Sequence, residues 1–328
     1  MRLGALELKY GLSLAPMAGY SDRGMRTVCH EQGAEYSVTE MISAKAVTYG
    51  DKKTMVLAAI GKGEGPVGLQ IFGSEPDIMA RAAEKLSTGV GGEELAPPVA
   101  IDINMGCPVN KIYSNGEGSA LMRDPELIYR IVRATSAATD LPVTVKLRAG
   151  IDREHLNAVE CARAAEEGGA SLICLHGRTR SEMYTGLADR EIIRKVKASL
   201  DIPLVANGDV KSGSDALDML RVTGADGIAV GRGAVGNPFI FAEIRAAIDG
   251  VPYTPPTLRE RCEVALRQLR LSMLAKGENI AIPEARKQIA LYLTGFHGAA
   301  ILRARINTAT TYAEVERIFY EILACSEE

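Results

Sequence analysis

Along most of the chain, short apolar runs alternate with longer stretches in which apolar residues recur every three or four positions. The runs are LSLAP (12–16), EYSVTEM (35–41), PVGLQIFG (66–73), VAIDINMG (99–106), PVTVKLR (142–148), SLICLHG (171–177), PLVANGD (203–209) and DGIAVGR (226–232), each about the length of a strand. Most are separated by helical spacing, as in DIMARAAEKL, DPELIYRIVRATSAAT, EHLNAVECARAAEEGG, DREIIRKVKASL and SGSDALDMLRVTG. Asp124 before Pro125 supplies an N-cap and a preset first helical residue; Gly168 and Gly224 stand where a left-handed C-terminal residue is wanted. Strands that alternate with helices pair in parallel, and nearly continuous apolar strands are covered on both faces. Eight such units over residues 1–250 predict an α/β fold, a (β/α)8 TIM barrel. A doubly wound sheet is the alternative, but it usually lacks eight units this regular.

The pattern changes at GVPYTPPTL (250–258), a proline-rich break that disfavours helix. Residues 251–256 are therefore expected to be a linker. Residues 257–328 are expected to form a small C-terminal all-helical domain, built on LRERCEVALRQLRLSMLAKG, IPEARKQIALYLTGF, AAILRARINTA and TYAEVERIFYEILA.

Composition adds exclusions. Apolar residues at 47% and charged residues at 24% are those of an ordinary globular chain. No stretch approaches the roughly 20 apolar residues of a membrane helix, and MRLGALELKYGLSLAP lacks the features of a secretory signal, so a cytoplasmic protein is expected. The six cysteines, at 29, 107, 161, 174, 262 and 325, include no C-x-x-C pair, which argues against disulfides and a cysteine zinc site; no metal is expected. A net charge of −3 excludes a binder of nucleic acid by overall charge. Within 257–310, however, nine Lys and Arg residues face four Glu, a local excess of five, and Arg286, Lys287, Arg303 and Arg305 are its candidate RNA contacts.

In a barrel of this kind the site is built by the C-terminal ends of the strands. Those ends carry Pro16-Met17-Ala18, Glu40, Gln70, Asn104 and Cys107, Lys146 and Arg148, His176, Asn207-Gly208-Asp209, and Gly231-Arg232. The last two strands commonly hold a phosphate in this fold, and glycines beside Arg232 suit that task. GRGAVG (231–236) also matches the dinucleotide fingerprint, but it runs into the proline linker rather than into a further strand with an acidic residue. A mononucleotide phosphate clamp is the better reading. Gln70, Lys146 and His176 would then address polar atoms of a ring across the barrel mouth. A flavin mononucleotide fits, and on these grounds alone a sugar phosphate fits nearly as well.

INMGCPVNK (103–111) poses the sharpest question. A cysteine taken at random is a small buried hydrophobe, the reading given to Cys29, Cys161, Cys174, Cys262 and Cys325. Cys107 differs in standing on a loop after a strand end. His176 likewise ends a strand, whereas His30, His155 and His297 have no such placement. Gln70 and Asn104 could equally serve the backbone inside the barrel.

Taken together, APMAGYSD, QIFG, DINMGCPVNKI with NGEGSALM, VTVKLRAG, HGRTR followed by Tyr184 and Gly186, NGD, GRGAVGNP and ARKQIALYLTGFHGA resemble the flavin-dependent tRNA-dihydrouridine synthases. The resemblance runs through most of the chain. It implies a barrel that holds FMN, a helical domain that helps grip tRNA, and NADPH-driven reduction of a uridine C5–C6 double bond. It assigns FMN contacts to Pro16, Met17, Ala18, Gln70, Lys146, His176, Asn207, Gly208, Asp209, Gly231 and Arg232. It makes Cys107 the proton donor and places Asn104, Arg148 and Tyr184 near the target base. Phe239 stands where tryptophan is frequent after GNP, and Gln288 where histidine often follows the Arg-Lys pair. The expectation is a monomer acting on tRNA; the alternatives are a flavin enzyme for free pyrimidines or a similar small molecule, and a non-enzymatic RNA-binding module.

Overall fold

A computed structural model of the chain describes residues 1–295 and 299–326. Eight parallel strands form a closed barrel: β1 (Leu12–Leu14), β2 (Tyr36–Val38), β3 (Val67–Phe72), β4 (Ala100–Asn104), β5 (Val143–Arg148), β6 (Leu172–His176), β7 (Leu204–Asn207) and β8 (Gly227–Val230). Closure is made by β8 against β1, with Ile228 opposite Leu12, and by β2 against β3, with Ser37 opposite Val67. Each strand lies inside the apolar run that predicts it. A two-residue strand, Ile42–Ser43, adds to the far end of β3.

The helices that cover the barrel are α1 (Arg23–Glu31), α2 (Pro76–Ser87), α3 (Pro125–Ala137), α4 (Ala158–Glu167), α5 (Arg190–Lys197), α6 (Gly213–Thr223) and α7 (Ile240–Asp249), with two short helices, Ala44–Thr48 and Lys52–Leu57, after β2. Their ends follow local chemistry. The Asp124 side chain accepts from the Leu127 N–H at 3.0 Å, and Gly224 ends α6 in the left-handed region at φ 68°. Gly168 does not: its φ is −70°, and the next residue, Gly169 at φ 103°, makes the turn instead. With two glycines in series, either satisfies the local pattern. Gly168 is needed for space, because a Cβ there would stand 2.9 Å from the Tyr129 carbonyl on α3.

One apolar layer lies between strands and helices and includes Ile71, Ile103, Val145 and Ile173. A second fills the barrel interior with Tyr36, Val38, Ala100, Leu172 and Val205 and is closed at the floor by Leu3 and Leu8. These come from the hairpin that pairs Arg2–Leu3 with Leu6–Glu7, which the apolar pattern does not reveal because its strands are two residues long.

Residues 251–257 have neither helix nor strand. Four helices follow: α8 (Leu258–Lys276), α9 (Glu278–Leu291), α10 (Ala299–Thr308) and α11 (Tyr312–Ser326). Helix α8 starts on a capping box between Thr257 and Glu260. Helix α9 begins earlier than the run IPEARKQ indicates and carries Pro283 inside it, where the missing N–H forgoes one helical bond. Cys262, Leu269, Ile289 and Phe319 form the core of these helices; full burial of a side chain such as Phe319 contributes about 2 kcal/mol. His297 and the side chain of Cys325 lie outside the described residues.

The helical segment packs on α1. A Cβ on Gly24 would strike the Gln268 carbonyl and Ser272 of α8, so glycine allows the two helices to meet. Buried amides extend the contact towards the barrel mouth. The Tyr292 hydroxyl donates to Gln268 Oε1 at 2.7 Å, Gln268 Nε2 to Gln288 Oε1 at 2.9 Å, and Gln288 Nε2 to the Gly19 carbonyl at 3.1 Å. Gln288 is thus a buried interface residue that steadies the loop after β1. Phe239 also belongs to this second core.

Candidate functional site

The C-terminal ends of the strands open into one cavity of about 620 Å³. Its wall includes Pro16, Met17, Ala18, Gln70, Asn104, Cys107, Lys146, Arg148, His176, Tyr184, Asn207, Gly208, Asp209, Gly231 and Arg232; Glu40, at the end of the β2 run, does not line it and instead accepts from the Gly19 N–H in the loop after β1. Parallel register makes this possible. Asn104 lies opposite Lys146, Arg148 opposite His176, and His176 opposite Asn207, so residues far apart in sequence end their strands at similar heights. Tyr20, Met41, Lys211 and Leu291 also line the cavity, and the sequence reading does not single them out.

Charge is unevenly distributed here. The Lys146 ammonium donates to Asn207 Oδ1 at 3.0 Å, and among the described residues no carboxylate comes within ion-pair distance of it. Burial lowers its pKa, as does nearby Arg148. Arg148 donates to the carbonyls of Gly106 at 2.7 Å and of Thr179 and Met183 at 2.9 Å. It therefore fastens the loops after β4 and β6 while lying 5.7 Å from the Tyr184 ring centre. Arg232 approaches the same ring at 5.0 Å. The Asp209 carboxylate is already engaged: it accepts from Arg178 at 2.8 Å and from the Ala188 N–H at 2.7 Å. A cavity bearing Lys146, Arg148 and Arg232 against one committed carboxylate suits an anion.

Arg178, two residues after His176, is 1% exposed and escapes the strand-end reading because it lies beyond β6. It donates to the Thr185 and Gly186 carbonyls at 2.9 and 2.6 Å as well as to Asp209. It also lies 3.3 Å from His176 Nε2. A guanidinium can only donate, so Nε2 accepts and the imidazole proton is on Nδ1. Burial, then Lys146, Arg148, Arg178 and Arg232, hold the His176 pKa down to about 2; the ring is neutral across the working range.

His30, bonded to the Ala34 carbonyl and Ser37 hydroxyl, is held down to about 4 by burial. An unfolded chain protonates both histidines near pH 6.5 while the folded chain leaves them neutral, so their contribution is full above that pH and is lost as pH falls. Each costs about 1 kcal/mol between pH 6 and pH 5. Asp102, raised to about 6 by burial, titrates with the opposite sign and offsets part of this loss. The unfolding free energy from urea titration is expected to fall over that interval, and His30→Gln should reduce the fall by about 1 kcal/mol; an identical pH dependence in the variant would contradict the assignment.

Cys107 is half-buried on the cavity wall. Burial pushes its thiol pKa up, with the Val109 N–H and Arg148 pulling the other way, so it remains protonated near neutrality. Its carbonyl accepts from the Ser119 N–H at 3.1 Å and hydroxyl at 2.8 Å, and its own N–H donates to Asn104 Oδ1 at 2.9 Å. Asn104 is therefore a loop anchor as well as a lining residue. The other described cysteines are buried.

The basic excess of the helical segment is less free than its count implies. Arg267 pairs with Glu31, Lys276 with Asp22 and Glu284, Arg270 with Glu316, and Arg305 with Glu321. The acids from the barrel and from α11 lie outside the window over which the excess is counted. Arg286 reaches the Ala309 carbonyl at 3.4 Å. Lys287 is exposed and lies one helical turn before Leu291, on the face that borders the cavity. Among the described residues, no helix is long and apolar enough to cross a membrane.

Comparison with known proteins finds a match to the family model described as dihydrouridine synthase over residues 13–325. The tRNA-dihydrouridine synthase B of Pseudomonas aeruginosa is 38% identical over 327 residues, covering 98% of this chain and 96% of its own. A probable tRNA-dihydrouridine synthase of Rickettsia conorii is 36% identical over 309 residues, covering 94% and 91%. Among solved structures, an amine oxidase for 6-hydroxypseudooxynicotine from Pseudomonas geniculata aligns with a TM-score of 0.57 at 13% identity, over 76% of this chain and 49% of that one. A variant of NCR from Zymomonas mobilis aligns at 0.53 and 16% identity, over 80% and 93%. These last two are likenesses of fold.

Proposed function

The chain belongs to the dihydrouridine synthase family, and from that premise we propose that it reduces the C5–C6 double bond of specific uridines in cytoplasmic tRNA, with FMN in the barrel mouth and NADPH as reductant. The observation that carries this reading is the presence of Cys107 on the wall of the same cavity as Lys146, His176 and Arg232: an acid, a cation without a carboxylate partner, a neutral donor and a phosphate-type cation converge there.

The donor set fits an FMN. Arg232, together with the backbone around Gly208 and Gly231, would receive the phosphate. Asp209 would contribute through its backbone, since its carboxylate is engaged by Arg178 and Ala188. Gln70, Lys146, His176 and Asn207 would address polar atoms of the ring, and Pro16, Met17 and Ala18 would contribute further contacts to it. When bound, the flavin supplies the hydride for uridine C6, having taken it from the nicotinamide. Lys146 offers positive charge to whatever negative charge develops on the ring. Cys107 gives its proton to uridine C5, and Arg148, Tyr184 and Asn104 border the base. A base in a duplex cannot reach such a cavity, so the uridine is unstacked from an RNA loop. Lys287 beside the rim, with Arg286, Arg303 and Arg305, would meet the phosphates.

The test is incubation with unmodified tRNA and NADPH, followed by nucleoside mass spectrometry. A gain of two hydrogens at mapped uridines is expected, from a yellow protein bleached by NADPH. Colourless protein that binds tRNA without reducing it, or faster reduction of a free pyrimidine, would overturn the proposal.

A further inference from the structure

Behind Cys107 lies a line of buried polar side chains with a single direction. Asp102, Gln70, Asn104 and Thr144 are 3%, 1%, 8% and 1% exposed. Register places Gln70 opposite Asp102, and Asp102 opposite Thr144, across β3, β4 and β5. The Thr144 hydroxyl donates to Asp102 Oδ1, and Gln70 Nε2 donates to Asp102 Oδ2 at 2.7 Å. Gln70 Oε1 accepts from Asn104 Nδ2 at 2.8 Å. Asn104 Oδ1 accepts from the N–H groups of Gly106 at 3.2 Å and Cys107 at 2.9 Å.

Each amide side chain has a donor end and an acceptor end and fits its site in either sense by shape alone. The ends of this line are not reversible. A carboxylate only accepts, and the Cys107 peptide N–H only donates. An acceptor at Asp102 turns the Gln70 nitrogen towards it and the Gln70 oxygen towards Asn104. That in turn aims the Asn104 oxygen at the Cys107 loop. Reversing either amide would place like groups against each other at a buried site, where mismatches are costly.

We propose that Asp102 is a positioning residue for Cys107, acting through Gln70 and Asn104 to hold the thiol loop against the cavity. The proposal rests on the reading of Cys107 as proton donor, yet concerns the placement of the loop. Asp102 touches neither Cys107 nor its backbone. Its charge, which a barrel interior otherwise disfavours, sets the sense in which two neutral amides are read.

The test is the alkylation rate of Cys107 by iodoacetamide on the purified protein with its bound flavin, resolved by peptide mass spectrometry. Buried Cys161 is the internal control. Asp102→Leu removes the acceptor and should raise the Cys107 rate about tenfold, the factor given by one lost hydrogen bond of ordinary strength. Asn104→Ala removes the anchor directly and should have the same effect. In the double variant the rate should stay near tenfold rather than approach about a hundredfold, because one path is broken twice. Should Asp102→Leu not fold, Asp102→Ala, which also removes the acceptor that Gln70 faces, decides by the same measure.

A wild-type rate in the folded Asp102 variant, multiplying effects in the double variant, or a Cys161 rate rising in step with Cys107 would each overturn the relay. Alkylation requires neither RNA nor nicotinamide. Failure here therefore leaves the proton-donor assignment to its own test, and failure of that assignment leaves this result standing.

Discussion

Cys107→Ala is expected to lower uridine reduction by roughly 10²- to 10⁴-fold, the usual contribution of a positioned general acid, while the protein remains yellow and is bleached by NADPH as before. The two halves of the reaction separate because they use different residues. The cavity's cations and its neutral histidine do not depend on the thiol, whereas Cys107 stands half-buried on a loop of the cavity wall and keeps its proton near neutrality. Burial holds its proton on, and Arg148 is close enough to ease its release as negative charge forms. Cys107→Ser should recover little, since a hydroxyl is a much weaker acid than a thiol. Single-turnover formation of dihydrouridine on prereduced enzyme measures the step directly; wild-type turnover in Cys107→Ala would remove the residue from the mechanism.

Arg178→Met should destabilise the fold by about 3 kcal/mol, the lower part of the range for removing one partner of a buried ion pair, because Asp209 retains some exposure. The loss has several parts. The Thr185 and Gly186 carbonyls and Asp209 Oδ1 each lose a donor, and His176 loses the contact that fixes its proton on Nδ1. A second consequence concerns the cavity: the turn carrying Tyr184 is freed, and Asp209 is left to compete for Arg232, 3.6 Å away. Flavin should therefore be lost more readily on gel filtration. Arg178→Lys should recover less than half of the stability, because a point-like ammonium cannot span donors that the guanidinium holds as a fork. Equal urea midpoints and equal flavin content in wild type and Arg178→Met would show that the buried arginine is dispensable.

The barrel was legible because its strands are buried on both faces and so appear as apolar runs, and because each run ends in the polar residues that define the mouth. The same logic singled out Cys107, Lys146 and His176, which the fold brings to the cavity wall. It passed over Asp102 and Thr144, which lie within the runs, although both share strand parity with the residues it did find. A carboxylate pointing into a barrel was itself the available signal. Arg178 was harder to find, since it lies past the strand where neither parity nor periodicity applies.

The helical segment shows the limit of counting charge along a sequence. Five excess positive residues over 257–310 describe a window, but Coulomb interaction acts through space. Glu31 and Asp22 on the barrel, with Glu316 and Glu321 on α11, neutralise much of that excess. Gln288 proves to be part of the joint between the two parts of the molecule rather than of its outer surface.

By itself, the sequence determined the alternation of strand and helix, the identity of the groups at each strand end and the motifs of the dihydrouridine synthases, because periodicity, capping and turn chemistry are local and are written in neighbouring residues. Only the tertiary structure decided which cations remain free, which nitrogen of His176 carries the proton and which way Gln70 and Asn104 face. Those depend on hydrogen-bond partners brought together from separate strands by register, and no pattern along one strand records which residue will lie opposite it.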